Sequence, residues 1–232
     1  MEGLLELVYP PACVACDEVL PGAGFFCEAC EALVLETPSP RCRSCSEPGA
    51  FPSARCPRCE HRPPPFTLAF APLEHDGAVA KAIHRFKYEQ RPDLARPLAA
   101  LLATSARAFF RDVTAPLVPL PLHAGRFRER GYDQATLLAV ELGQLLERPV
   151  RDAWLDRVRA TARQVGLSED ARDENVRGAF VASPEVKGSA VVLIDDVYTT
   201  GSTAAEATRA LRAAGATEVF VLTLARARRE LA

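Results

Sequence analysis

Residues 191–203 read VVLIDDVYTTGST. Four apolar β-formers, Val191 to Ile194, lead into two adjacent carboxylates, Asp195 and Asp196, and then into a turn of Thr199, Thr200, Gly201, Ser202 and Thr203 that opens a helix. In that order the groups describe a cradle for a phosphorylated sugar. A continuously apolar run suits a parallel strand buried on both faces, and open α/β sheets bind ligands just beyond the carboxyl ends of such strands. The turn can offer backbone N–H groups and hydroxyls to a phosphate, with Gly201 allowing the tight bend and Ser202 or Thr203 placed as the helix cap. An acidic pair that merely caps the next helix is the plainer alternative; the pair and the turn together favour a site. No GxxxxGK is present, which excludes an ordinary nucleoside-triphosphate P-loop.

The second chemical constellation is sulfur. Cys13-x2-Cys16, Cys27-x2-Cys30, Cys42-x2-Cys45 and Cys56-x2-Cys59 account for all 8 cysteines, and the block from Cys13 to Cys30 repeats 29 residues later. Each CxxC turn can place two thiolates on one ion, and two turns complete a closed tetrahedral site of the structural type, so two structural zinc ions are expected. Equal internal spacing favours consecutive pairing, with Cys13, Cys16, Cys27 and Cys30 on one ion and Cys42, Cys45, Cys56 and Cys59 on the other; interleaved pairing stays open, as does substitution by His61. Disulfides would need an oxidising compartment, and a redox CxxC does not explain the regular doubling. A segment this short buries little apolar surface, so metal must supply much of its folding free energy.

The elements that position these groups fall into two parts. The cysteines end just before Arg62-Pro63-Pro64-Pro65, a stiff extended linker, which divides the chain into a cysteine unit, 1–62, and a larger unit, 63–232. In the larger unit a strand over Phe66 to Leu73 and helices over Asp76 to Tyr88 and Pro92 to Arg111 precede an alternation: strand Leu117 to Leu122, helix Asp133 to Glu147, strand Val191 to Ile194, helix Ser202 to Ala214, strand Glu218 to Leu224. That alternation predicts an α/β fold, a parallel sheet with helices on both faces. The net charge of −2 and 48% hydrophobic content are those of an ordinary globular protein. Acidic Glu2 and Glu6 at the start do not suit a signal peptide, and no apolar stretch reaches the ~18 residues a membrane span needs, so a cytoplasmic location is expected.

Met1 to Glu36 carries seven acidic residues and no Lys or Arg, whereas Thr37 to Arg62 carries Arg41, Arg43, Arg55, Arg58 and Arg62 against Glu47 and Glu60. The second block is therefore the candidate for phosphate contact, although four thiolates around a divalent ion offset much of that charge. From Pro63 onward 23 basic residues face 21 acidic ones, so any nucleic-acid groove is a local patch.

The segment DDVYTTGST resembles the phosphoribosyl-pyrophosphate loop of type I phosphoribosyltransferases. The resemblance implies that Asp195 and Asp196, the catalytic candidates, hold the ribose hydroxyls and that Thr199, Thr200, Gly201, Ser202 and Thr203 hold the 5′-phosphate. Three further stretches narrow it to ComF-type competence proteins, whose chains join a cysteine domain, here a double zinc ribbon, to a phosphoribosyltransferase-like domain. They are Val118-Pro-Leu-Pro-Leu-His123 with Arg126, Arg130, Gly131 and Tyr132-Asp-Gln134; Arg159-Ala-Thr161-Ala-Arg163-Gln164 through Arg172 and Asn175 to Gly178-Ala-Phe180; and Phe86-Lys87-Tyr88 after His75-Asp76-Gly77. Asp133 stands where the family usually has Asn, and His75 where it commonly has Tyr. By this resemblance His123 and Arg126 lie near pyrophosphate, Arg163 belongs to an Arg-rich lid, and Lys87 either reaches the site or sits on the surface.

The resemblance implies a phosphoribosyl-pyrophosphate-binding protein of natural transformation that handles single-stranded DNA in the cytoplasm, with other competence proteins as partners. The alternative is a true phosphoribosyltransferase that passes ribose 5-phosphate to a nucleobase or amine and releases pyrophosphate, with magnesium neutralising the leaving group. A sensor of the sugar pyrophosphate is a third reading. No sequence feature identifies a base pocket.

Overall fold

A computed structural model of the chain describes residues 10–160 and 174–228. The apolar run forms the middle of strand β6, Ala190–Tyr198. It pairs in parallel with β3, Leu117–Pro119, on one side and with β7, Glu218–Arg226, on the other. Beyond β7 lie two short parallel strands, β1 (Leu68–Phe70) and β2 (Leu73–Glu74), giving the order β1-β7-β6-β3 with β2 continuing beside β7. This is the parallel α/β sheet expected. The single strand read over Phe66 to Leu73 is interrupted around Pro72, whose carbonyl accepts from Thr37 N at 2.8 Å.

Successive side chains of β6 enter two different cores, as period-2 geometry requires. Val192 and Ile194 join the face covered by α3 (Gly77–Tyr88), α4 (Ala95–Ser105) and α7 (Gln134–Leu146); Val191 and Leu193 join the face covered by α8 (Ser202–Ala213). All four are fully buried, which accounts for the unbroken apolar run. The helix read over Pro92 to Arg111 is divided: a 3-10 turn precedes α4, and the chain breaks at Ala106 before α5, Arg107–Asp112. The sequence reading does not expect α6, Ala124–Arg130, or the antiparallel strands β4 (Leu155–Arg157) and β5 (Phe180–Ala182).

The cysteine segment folds as two copies of one unit, each ending in a short helix, α1 (Glu28–Glu31) or α2 (Pro57–His61). The 29-residue repeat holds bond for bond. Cys13 N donates to Glu18 O as Cys42 N does to Glu47 O, and Val14 N to Phe25 O as Arg43 N does to Ala54 O. The copies dock on opposite faces of the sheet. The first joins the core under α3, where Arg85 donates to Val14 O at 3.1 Å and pairs with Asp17. The second joins the core under α8, where Ser46 Oγ donates to Ala69 O at 2.8 Å and the buried Arg226 donates to Cys45 O at 2.6 Å and pairs with Glu47. At Gly77 (φ +51°) a Cβ would lie 2.4 Å from Leu33 O, so only glycine permits the close approach of the first unit there.

Candidate functional site

The carboxyl ends of β3 and β6 open into a cleft of about 610 Å³. Residues from both strand ends line it, Leu120 to Leu122 after β3 and Asp195 to Val197 of β6. It therefore occupies the position where open α/β sheets receive ligands. Asp195 is half-buried and its Oδ1 accepts from Asp196 N at 2.8 Å. Burial, and then the neighbouring charge of Asp196, push its carboxyl up to about 8. Asp196 is only 3% exposed; its Oδ1 lies 2.7 Å from Lys87 Nζ, while its Oδ2 has no hydrogen-bond partner among the described residues. Lys87 comes from the last turn of α3, and His75 lies beside it in the lining. Burial, and then the Lys87 charge, lower the His75 imidazole below its usual range.

The turn after β6 is shaped by Gly201, which adopts φ +81° and serves as the N-cap of α8, the place expected for Ser202 or Thr203. A Cβ here would lie 2.2 Å from the hydroxyl of Tyr198, so the turn closes directly over that buried ring. Thr200 Oγ1 and Ser202 Oγ hydrogen-bond at 2.8 Å. Thr199 and Thr203 line the main cleft, whereas Thr200, Gly201 and Ser202 border a second hollow of about 40 Å³ together with Arg58, Arg62 and Arg209.

Across the cleft stand α6 and the start of α7. His123 does not line the cleft: its Nδ1 accepts from Gly125 N at 3.2 Å and caps α6. Arg126 and Arg130 of α6 do line it, Arg130 bonding Gln134 and lying 5.4 Å over the exposed ring of Tyr88. Asp133 caps α7 through Ala135 N and Thr136 N and also accepts from Leu122 N at 2.6 Å, fixing the loop after β3. A carboxylate meets these three donors without needing the amide of an Asn. Arg157, at the end of β4, adds a further guanidinium to the lining. Arg163, with Thr161, Gln164 and Arg172, lies outside the described residues.

Nothing in the sequence marks Arg157, and the place of Lys87 is not fixed by its neighbours in sequence. A lysine in the last turn of an apolar-faced helix looks the same whether it meets solvent or a carboxylate.

The cysteines gather in consecutive sets, Cys13, Cys16, Cys27 and Cys30 in one and Cys42, Cys45, Cys56 and Cys59 in the other, each with its Sγ atoms within 4.8 Å of one another. The Cys16–Cys27 and Cys45–Cys56 sulfur separations are both 3.7 Å. That is far too long for a disulfide and matches the edge of about 3.8 Å of a tetrahedron with zinc–sulfur bonds of ~2.3 Å. Four thiols this close cannot ionise together without a cation. A hydrogen bond from Cys59 helps bring Cys45 down to about 5, and that bond, with burial, pushes Cys59 up. The donor set fits two structural zinc ions.

Comparison with known proteins agrees with both halves. Residues 4–61 match the double zinc ribbon domain and residues 130–231 the phosphoribosyl transferase domain. The chain is 33% identical over 225 residues to DNA utilization protein YhgH of Salmonella typhi, covering 95% of this chain and 99% of that one. It is 32% identical over 208 residues to competence protein F of Haemophilus influenzae, covering 87% and 90%. Competence protein ComFC of Bacillus subtilis is 29% identical over 153 residues, covering 66% and 61%. A double ribbon docked on a parallel sheet, with an acidic strand end facing a hydroxyl-lined turn, thus accompanies full-length similarity, and the chain belongs to the ComF-type family of competence protein F and DNA utilization protein YhgH.

Proposed function

We propose that the cleft binds phosphoribosyl pyrophosphate or a related ribose phosphate, in a cytoplasmic protein that handles single-stranded DNA during uptake or use. The observation that carries this reading is that the Asp195–Asp196 pair lines one cleft with Thr199 and Thr203, the two ends of the turn that follows β6. In this reading the two carboxyl groups hydrogen-bond the ribose hydroxyls, and the turn's amides and hydroxyls hold the 5′-phosphate against the positive end of α8. Arg126, with Arg130 and Arg157, supplies planar cations for a second phosphate group. Magnesium would arrive with the ligand's phosphates and neutralise them. Residues 1–62 form the zinc-bearing unit and 63–232 the ligand-binding one.

Calorimetric titration with phosphoribosyl pyrophosphate and magnesium tests the assignment: Asp195→Asn with Asp196→Asn should abolish binding, and unchanged affinity would refute it. The exposed side chain of Tyr88 at the edge of the same cleft favours a second reading, in which ribose 5-phosphate passes to a nucleobase or amine held beside it. Pyrophosphate release in a screen of acceptors distinguishes transfer from binding alone. For DNA contact through the second ribbon, Arg43 and Arg55 are exposed candidates, with Arg62 exposed at its end. Arg41 and Arg58 are engaged internally, on Phe70 with Ala71 O and on Thr200 O respectively. Single-strand affinity that neither falls with salt nor responds to Arg43→Ala with Arg55→Ala removes the ribbon from consideration.

A further inference from the structure

The two cysteine units are copies, and where their equivalent positions differ the second unit has gained contacts with the turn after β6. Position 29 of the first unit is Ala29; its counterpart in the second is Arg58, adjacent to the ligand Cys59 on α2. The Arg58 guanidinium donates to the carbonyl of Thr200, within the turn itself. Beneath the turn, Tyr198 packs edge-on against Phe66 at 6.3 Å, and the Arg226 guanidinium lies 5.0 Å over its ring. That same guanidinium donates to the carbonyl of Cys45, another ligand. The second ribbon therefore meets the turn from outside through Arg58 and from below through Arg226 and Tyr198. The first ribbon and the segment after it bond instead to Arg85 of α3, to Arg91 and, through Leu35 O, to Glu74 of β2.

We propose that the second zinc ribbon is a positioning element of the phosphate turn, with Arg58 as its contact residue, and this rests on the ribose-phosphate reading of the cleft. A peptide carbonyl held by a guanidinium cannot rotate freely, so the neighbouring amides of Gly201 to Thr203 stay directed as the cap of α8 leaves them. Arg58 touches no ligand in this scheme. It fixes the backbone that does.

The test uses the full, zinc-loaded chain and three measurements: zinc content, hydrogen exchange of the 199–205 amides without ligand, and calorimetric affinity for phosphoribosyl pyrophosphate with magnesium. Arg58→Ala should keep two zinc ions per chain, exchange about tenfold faster in those amides alone, and bind about tenfold more weakly. Glu60→Gln, at an exposed position of the same helix α2, should match the wild type in all three. Exchange within twofold of wild type in Arg58→Ala overturns the proposal, as does acceleration spread evenly over the sheet. If the wild type binds no sugar pyrophosphate while Arg58→Ala still loosens the turn, the ligand reading falls and the brace stands. Arg58→Lys, which keeps a cation but loses the planar fork, replaces the alanine variant should that fail to fold; the same local acceleration is expected, and its absence overturns the proposal.

Discussion

Lys87 Nζ lies 2.7 Å from Asp196 Oδ1, tying the last turn of α3 to the carboxyl end of β6. The pair is shielded on both sides, Asp196 more so. Replacing Lys87 by Met leaves a buried carboxylate without its cation and should cost about 2 kcal/mol. Urea denaturation measures it, and Lys87→Met combined with Asp196→Asn should recover part of the loss. Additive losses would show that the two groups do not interact.

Asp195 gives the fold a pH dependence of defined sign. Its carboxyl keeps its proton up to about 8 when folded and only to about 4 when unfolded, so the folded chain binds more protons between those limits. Stability therefore falls as pH rises through that window. Asp195→Asn removes this contribution, so its stability relative to wild type should improve between pH 5 and pH 8.5. A constant difference in urea midpoint across that range contradicts the expectation.

Gly201 has two reasons to be glycine, its positive φ and the Tyr198 hydroxyl beneath it. Gly201→Ala should destabilise by about 2 kcal/mol or more and disturb the turn. Adding Tyr198→Phe removes the nearest clashing atom and should return only part of the stability, because the ring carbon behind it would still be 2.7 Å from the new methyl group. Thermal denaturation of the three variants reads this directly.

Metal stoichiometry provides a further check. Elemental analysis should give two zinc ions per chain, and Cys45→Ser should retain one and lower the melting temperature. Retention of both ions by Cys45→Ser would remove this residue from the ligand set.

The α/β class, the eight sulfur ligands and their consecutive grouping were legible because they depend on local pattern: apolar runs, CxxC turns, a repeat of fixed length. The strand that carries the site was read only as far as Ile194, although β6 continues to Tyr198. Two carboxylates resemble a strand end, and only pairing with β7 keeps that backbone extended. β4 and β5 escaped notice because each has three residues and 22 positions separate Arg157 from Phe180. His123 caps α6, a local role that the sequence also allows for a histidine just before a helix. The Arg58–Thr200 contact spans 142 positions, and the one trace of it in sequence is an arginine where the repeat would place alanine.

The bond from Arg226 to Cys45 joins residues 181 positions apart. Synthesis runs the other way: the second ribbon leaves the ribosome early, able to take its metal but with its docking partner β7 still unmade. Its apolar side must wait through most of translation, so a chain released before β7 is complete would carry loaded sulfur ligands and an uncovered flank, a natural mark for proteolysis.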